Sequence, residues 1–310
     1  MKVVFMGTPE FALPSLKMLI EEGYDVIAVV TQPDKPAGRG KKIVMPPVKE
    51  YALKNDIAVL QPEKIKTKDF LETLTQIKPD LLVTAAYGKI LSKELLEVPK
   101  YGCINVHGSL LPKLRGAAPV HWSIINGDKH TGITTMFTDE GLDTGDMLLK
   151  ESIPISDDMT AGELHDNLAD LGAKVLKNTL EQLKDGSLKR TPQSEDQATY
   201  AILINKEIGK INWSKSSHEV HNLIRGTNPW PGAFTFYEGC KMKVWKSEFV
   251  DDNSHDYKPG TISKVDKDGV LVFCKVGKVR IKEVQFDSCR KMCVEDYICG
   301  HKIDEGEILG

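Results

Sequence analysis

The chain has 310 residues, 27% of them charged and 41% hydrophobic, and a formal net charge of −3. That length exceeds one ordinary hydrophobic core and predicts two domains, and the composition is that of a water-soluble globular protein. The charge excludes a chain that coats nucleic acid wholesale and leaves room for a local basic patch.

Residues 2–6 read as a buried strand, Gly7 as a turn, Thr8 as an N-cap and Pro9 as the first helical position. A helix over 10–22 then carries Phe11, Leu16, Leu19 and Ile20 at helical spacing. Strands are predicted over 26–31, 58–60, 81–86 and 102–107, with helices over 48–55 and 69–77. Such alternation predicts an α/β fold: a mostly parallel, doubly wound, Rossmann-like sheet covered on both faces. Ligands of such sheets sit beyond the strand C-termini, near a reversal of strand order. Strands over 132–138 and 147–155 follow, then a helix over 160–184 whose apolar stripe includes Leu164, Leu168, Leu171, Val175 and Leu180.

Residues 1–187 are expected to form the first domain, 188–207 a linker and 208–310 a second domain. The stretch T-P-Q-S-E-D-Q-A-T is polar and lacks periodicity, which reads as linker. Beyond it, S-S-H-E at 216–219 has the form of a capping box. Short strands over 233–237, 241–246, 260–265, 269–274 and 278–286 predict a small, OB-like β-barrel.

No apolar run approaches the roughly 20 residues that a spanning helix needs. The opening M-K-V-V-F-M-G has too short an apolar part for a signal peptide, so the cytosol is the expected compartment. There the six cysteines read as reduced thiols. Cys289, Cys293, Cys299 and His301 lack paired C-x2-C knuckles, and no metal is expected.

The chemistry concentrates in C-I-N-V-H-G. Asn105 and His107 stand two apart, so a strand projects both from one face. Asp143, in D-E-G-L-D-T-G-D at 139–146, supplies a carboxylate from a later loop. A carboxamide donor for an oxyanion, an imidazole to move a proton and a carboxylate to orient it make up the equipment for acyl transfer without a covalent intermediate. The bland reading, a core histidine beside a structural asparagine, leaves the second loop unexplained. Ser109 in G-S-L-L-P is not a G-x-S-x-G elbow, which argues against a serine nucleophile. Gly7-Thr8-Pro9 is not G-x-G-x-x-G, which argues against a dinucleotide site.

Cationic residues Lys35, Arg39, Lys41 and Lys42 fall within K-P-A-G-R-G-K-K, a mobile, non-helical loop suited to phosphates. From residue 205 onward there are 17 basic and 16 acidic side chains. An acidic tail there masks a more basic body, in which Lys206, Lys210, Lys215, Arg225, Lys241, Lys243 and Lys246 are expected to track a nucleic-acid backbone. His218 and His221 do not form H-E-x-x-H and read as ordinary helix residues.

I-N-V-H-G-S-L-L-P-K-L-R-G-A-A-P-V from 104 to 120, together with G-L-D-T-G-D from 141 to 146, resembles the folate-dependent formyltransferases. M-G-T-P-E-F-A at the start, T-Q-P-D-K-P-A-G-R-G-K-K from 31 to 42 and I-R-G-T-N-P-W-P-G-A from 224 to 233 resemble the branch of that family acting on aminoacylated initiator tRNA. The resemblance covers essentially the whole chain. The N-x-H…D pattern is shared across the superfamily and does not select the acceptor; a nucleotide-sugar amine, or folate or RNA binding without catalysis, are the alternatives.

The resemblance implies catalysis by Asn105, His107 and Asp143, and folate contacts from Ser109, Leu110, Leu111, Pro112, Ala86 and Gly88. It places the tRNA on Lys35, Arg39, Lys41, Lys42, Lys206 and Lys241. The formyl donor would be 10-formyltetrahydrofolate, a co-substrate, and the acceptor the α-amine of methionine on initiator tRNA. That is a step in translation initiation needing no metal, no membrane and one copy of the chain.

Overall fold

The computed structural model describes residues 1–37, 40 and 42–310. They divide into two compact units, and the division is not a single cut. The first comprises Met1–Pro119, Thr131–Ile153 and His165–Ala201; the second comprises Val120–His130, Pro154–Leu164 and Ile202–Gly310. Two short stretches, the second running into the start of the long helix, therefore join the C-terminal unit rather than the N-terminal one.

The first unit is built on strands β1 (Lys2–Gly7), β2 (Asp25–Val30), β3 (Lys35–Ala37), β4 (Lys42–Val44), β5 (Val59–Leu60), β6 (Leu81–Ala85), β7 (Cys103–His107), β8 (Arg115–Gly116), β9 (His130–Phe137), β10 (Met147–Pro154) and β11 (Tyr200–Ala201). Seven of the described strands form one sheet in the order β10-β9-β7-β6-β1-β2-β5. β1 pairs in parallel with β2 and β6, β2 with β5, and β6 with β7. β9 then runs antiparallel to β7. The fold is thus α/β with a parallel-rich sheet and an antiparallel flank. Val3, Val4, Phe5 and Met6 are wholly buried, the continuous apolar run of a strand covered on both faces. The order reverses about β1, whose neighbours are β2 on one side and β6 on the other. Ligand chemistry belongs beyond the C-termini of these strands.

Helices α1 (Leu13–Glu21), α2 (Pro47–Lys54), α3 (Lys68–Ile77) and α4 (Lys93–Leu96) connect the parallel strands. α5 (Pro119–Ile125) follows β8, and α6 (Ala161–Asp185) is the long helix. Thr8 is not the N-cap expected of it: a 3-10 turn, Glu10–Ala12, precedes α1, and the Thr8 hydroxyl accepts from the Gln32 N–H at 3.1 Å. α3 is capped by Thr67, whose side chain accepts from the Phe70 N–H. No helix among the described residues is long and apolar enough to cross a membrane.

Two stretches expected as open chain have partners. Lys35 to Ala37 pairs antiparallel with Lys42 to Val44, so the cationic loop begins and ends as a hairpin stem. Lys35 is exposed there, beside exposed Ile43, Val44 and Met45. Arg39 and Lys41 lie outside the described residues. Of the expected linker at 188–207, the part through Ala201 is tied to the first unit and the rest belongs to the second. Thr191 bridges Met147, β11 pairs in parallel with β8, and the Arg115 N–H donates to Thr199 O. Its polarity reflects side chains engaged in specific bonds.

In the second unit, Ser216 and Glu219 form the expected capping box at the start of α7 (Ser217–Gly226). Strands β12 (Ala233–Tyr237), β13 (Cys240–Asp251), β14 (Ile262–Asp266), β15 (Gly269–Phe273) and β16 (Lys278–Phe286) form an antiparallel sheet in the order β12-β13-β16-β15-β14, and β17 (Met292–Cys293) adds to β16 ahead of α8 (Val294–Ile298). Alternate residues of β16 are buried, packing Val279, Ile281 and Val284 with Val244, Val272 and Trp213. The barrel expected here is an antiparallel sheet whose end strands β12 and β14 do not pair with each other among the described residues. The chain terminus lies between them: Leu309 N–H donates to Gly260 O, and Gly310 N–H donates to Phe236 O.

Candidate active site

β6 and β7 lie side by side with Thr84 opposite Asn105. The Thr84 hydroxyl donates to Asn105 Oδ1 at 2.8 Å. With its oxygen held, the Asn105 carboxamide turns its NH2 outward, 3.5 Å from Asp143 Oδ1. That is long for a hydrogen bond, so the N–H groups stay available to another acceptor.

His107 ends β7, and its side chain is almost wholly buried. Nε2 lies 3.0 Å from the carbonyl oxygen of Leu114. A carbonyl only accepts, so Nε2 carries the hydrogen. Nδ1 then lies 3.6 Å from Asp143 Oδ2. Leu114, held at φ 58° in the left-handed region, therefore fixes the imidazole tautomer. The carboxylate expected to orient the ring faces the other nitrogen. With Nε2–H committed, Nδ1 has a hydrogen to offer the carboxylate only when the ring is an imidazolium.

Asp143 reaches the site from the loop joining β9 to β10. It is itself at φ 54°, uncommon for a residue with a side chain. Its Oδ2 accepts the Gly116 N–H at 2.8 Å. Two glycines make that approach possible. At Gly116, φ 111°, a Cβ would lie 2.8 Å from Ala201 O; at Gly145 it would overlap the backbone oxygen of Phe137. Asp139 closes the loop, its Oδ1 accepting from the Gly141 N–H and the Thr144 hydroxyl.

Behind the loop stands a group that sequence reasoning missed. Gln193 Nε2 donates to the carbonyl oxygens of Asp143 and Gly145, both at 2.8 Å. Gln193 Oε1 accepts from Arg115 Nε at 3.0 Å. Arg115 is fully buried, and its two terminal nitrogens form a fork with Glu195 at 3.0 and 2.9 Å. The hydrogen bonds to Glu195 raise the guanidinium pKa, and the same contact lowers that of the Glu195 carboxyl. On the same strand as the site, burial pushes the Cys103 thiol up to about 11, leaving it unreactive.

Asn105, His107 and Asp143 thus come together. The other expected residues are more scattered in character. Ser109, Leu111 and Pro112 are buried, and Leu110 is half-buried. The Ser109 hydroxyl donates to Lys113 O, and Leu111 packs with Met136 and Met147. Ala86 and Gly88 are exposed in the loop after β6, both at positive φ. Lys206 is exposed, and Lys241 Nζ stands 3.6 Å from the centroid of the Phe234 ring. Arg225 is not a surface cation: it is buried, donating to Asn222 Oδ1 and to the carbonyls of Ser156 and Met159. His221 is likewise internal, between the Ser247 hydroxyl and Asp157 O.

A parallel-rich sheet that presents carboxamide, imidazole and carboxylate at one strand's end, followed by a separate antiparallel module, defines a formyl-transfer class of protein. The chain belongs to the formyl transferase family, matching it over residues 1–180 and its C-terminal domain over residues 203–302. It is 67% identical over 310 residues to the methionyl-tRNA formyltransferase of Acetivibrio thermocellus, covering 100% of both chains. The methionyl-tRNA formyltransferases of Ruminiclostridium cellulolyticum and Caldanaerobacter subterraneus are 65% and 56% identical, again over 100% of both chains. Among solved structures, the sugar 3N-formyl transferase WlaRD, in the presence of dTDP and 5-N-formyl-THF, shares the fold with TM-score 0.69 and 21% identity, over 94% of this chain and 99% of that one. An N-formyltransferase from Helicobacter canadensis, in complex with folinic acid and dTDP-3-aminofucose, gives TM-score 0.67 at 22% identity over 91% of this chain and 98% of that one.

Proposed function

We propose that the chain transfers the formyl group of 10-formyltetrahydrofolate to the α-amine of methionine esterified to initiator tRNA. The observation that carries this is the convergence of Asn105, His107 and Asp143 at the end of β7. Full-length identity with methionyl-tRNA formyltransferases selects the acceptor.

The neutral amine attacks the formyl carbon, and a tetrahedral centre forms with negative charge on oxygen. The outward N–H of Asn105 receives that oxyanion; one such donor is worth on the order of 3 kcal/mol. The attacking nitrogen must lose a proton, and His107 Nδ1 is the ring atom left to take it. A proton there gains a hydrogen bond to Asp143 Oδ2 and the attraction of its charge. Passed to the tetrahydrofolate nitrogen, it makes that nitrogen a leaving group as the carbon–nitrogen bond breaks and the new amide remains. The loop Ser109–Pro112, with Ala86 and Gly88, borders the folate.

The cationic stretch with Lys35, Arg39, Lys41 and Lys42 and the C-terminal unit with Lys206 and Lys241 seat the tRNA through its backbone, as RNA is usually held. We read the antiparallel unit, with the chain end lying between its outer strands, as an OB-like barrel. The protein acts as a cytosolic monomer.

An acceptor comparison with a labelled one-carbon donor tests the assignment. Label is expected in initiator methionyl-tRNA and not in a dTDP-amino sugar. Transfer to the sugar alone would overturn it, and so would tRNA binding without transfer.

A further inference from the structure

We propose that Gln193 is a positioning residue for Asp143, acting from the stretch that joins the two family-matched regions of the chain. The inference rests on the reading of Asp143 as part of the catalytic apparatus. Every polar atom of the Gln193 side chain is engaged: two N–H donate to Asp143 O and Gly145 O, and the oxygen accepts from Arg115 Nε. Arg115 has donors only, so the orientation of the amide is settled by its partner. The two carbonyls are that of the left-handed residue Asp143 itself and that of Gly145 two residues on, so they hold the turn that points the Asp143 carboxylate to within reach of His107 Nδ1 and the Gly116 N–H. Gln193 thus ties down a backbone conformation that the chain does not favour unaided.

What holds Gln193 is the fork between Arg115 and Glu195. Arg115 has no exposed side-chain surface, whereas the Glu195 side chain is 71% exposed. The same segment reaches the other half of the site. The Thr199 hydroxyl accepts from the Leu114 N–H at 2.8 Å, and Thr199 O accepts from the Arg115 N–H. The Leu114 carbonyl, on the far side of that residue, orients His107. One surface strap over 193–199 therefore braces both the turn that aims the carboxylate and the turn that sets the imidazole.

Substitution by glutamate separates this role from simple packing against Arg115. A carboxylate at 193 keeps and strengthens the contact with the guanidinium, so the protein should fold. It has no hydrogen to give Asp143 O or Gly145 O and repels both. Steady-state formylation of initiator methionyl-tRNA is measured for Gln193→Ala, Gln193→Glu, Asp143→Ala and the Asp143→Ala/Gln193→Glu double variant, with thermal melting as the folding control. Both Gln193 variants are expected to lose about 10-fold in kcat, the scale of losing the hydrogen bonds that hold one turn in place. KM for either substrate should stay within about 2-fold, because the interaction serves the transition state. On the Asp143→Ala background Gln193→Glu should cost nothing more. Wild-type kcat in Gln193→Glu, with Asp143→Ala crippled, would overturn this proposal alone; an undiminished loss in the double variant would do the same. Wild-type turnover in Asp143→Ala would overturn the catalytic reading and this proposal with it.

Discussion

Thr84 and Asn105 are register partners on adjacent parallel strands, and the Thr84 hydroxyl donates to the Asn105 carbonyl oxygen. The bond decides which end of the carboxamide faces the reaction. Thr84→Val keeps the shape of the side chain and removes that donor. We expect kcat to fall by roughly 5- to 10-fold, the worth of one hydrogen bond near 1 kcal/mol. Asn105→Ala, which removes the oxyanion donor itself, should cost on the order of 10²-fold or more. Single-turnover rates give both numbers. A Thr84→Val enzyme as fast as wild type would mean that the hydroxyl does not orient the amide.

His107→Ala and Asp143→Ala are each expected to lower turnover by ~10²–10⁴-fold with the fold intact. Asp143→Asn is the sharper variant. Its side-chain oxygen still accepts from Gly116, yet the charge facing Nδ1 is gone. If the carboxylate works by stabilising an imidazolium, Asp143→Asn should be nearly as slow as Asp143→Ala. Near-normal rates in His107→Ala would end the assignment of proton transfer to the ring.

The pair Asn105 and His107 was legible because strand period is two and the run around it is apolar. The strands at β12 and β16 begin and end where alternation placed them. α5 was not legible: P-V-H-W-S-I-I is rich in β-branched and aromatic residues, which prefer strands in isolation. Arg225 looks like surface charge in sequence, and it is buried because carbonyls and the Asn222 side-chain oxygen meet its donors. Gln193 sits in a polar stretch whose partners are backbone carbonyls, which no side-chain pattern records. The tautomer of His107 is hidden for the same reason: it depends on where one carbonyl, that of Leu114, points.

The cationic stretch at 35–42 and the C-terminal unit should separate tRNA use from folate use. Arg39→Ala is expected to raise KM for initiator methionyl-tRNA several-fold and to leave KM for the folate donor unchanged. Each cation that meets a phosphate contributes about one unit to the salt slope of binding. Arg39→Ala should therefore flatten the dependence of tRNA binding on salt. Equal changes in both substrates' KM would remove the cationic stretch at 35–42 from the tRNA seat.

Gly145→Ala and Gly186→Ala form a matched test of the site loop. Both add one methyl group. At Gly145 it overlaps the Phe137 carbonyl oxygen, whereas at Gly186, φ 78°, nothing lies within 4 Å. Gly186→Ala should cost about 1 kcal/mol of stability through backbone strain and leave turnover alone. Gly145→Ala should cost about 1–3 kcal/mol and lower kcat as well, since relief of the overlap moves Asp143. Unaltered kcat in Gly145→Ala would show that the loop tolerates displacement.

His221 should make the C-terminal unit sensitive to mild acid. Its ring is buried, with Nε2 donating to Asp157 O and Nδ1 accepting from the Ser247 hydroxyl. That arrangement satisfies the neutral ring. Burial, aided by the nearby Arg225 charge, depresses the folded-state pKa, while the Asp157 carbonyl and the Asp158 carboxylate oppose it. The unfolded chain binds the proton near its ordinary value of ~6.5, and the folded chain binds it only at lower pH. Stability from this group is therefore complete above ~6.5 and declines as pH falls below that value, by up to about 1 kcal/mol per pH unit. Denaturant midpoints of wild type and His221→Gln at pH 7.5 and pH 5.5 measure it. The variant begins less stable, having lost a satisfied buried pair, and should lose less on acidification than wild type. Parallel declines in the two proteins would show that the acid sensitivity arises from another group.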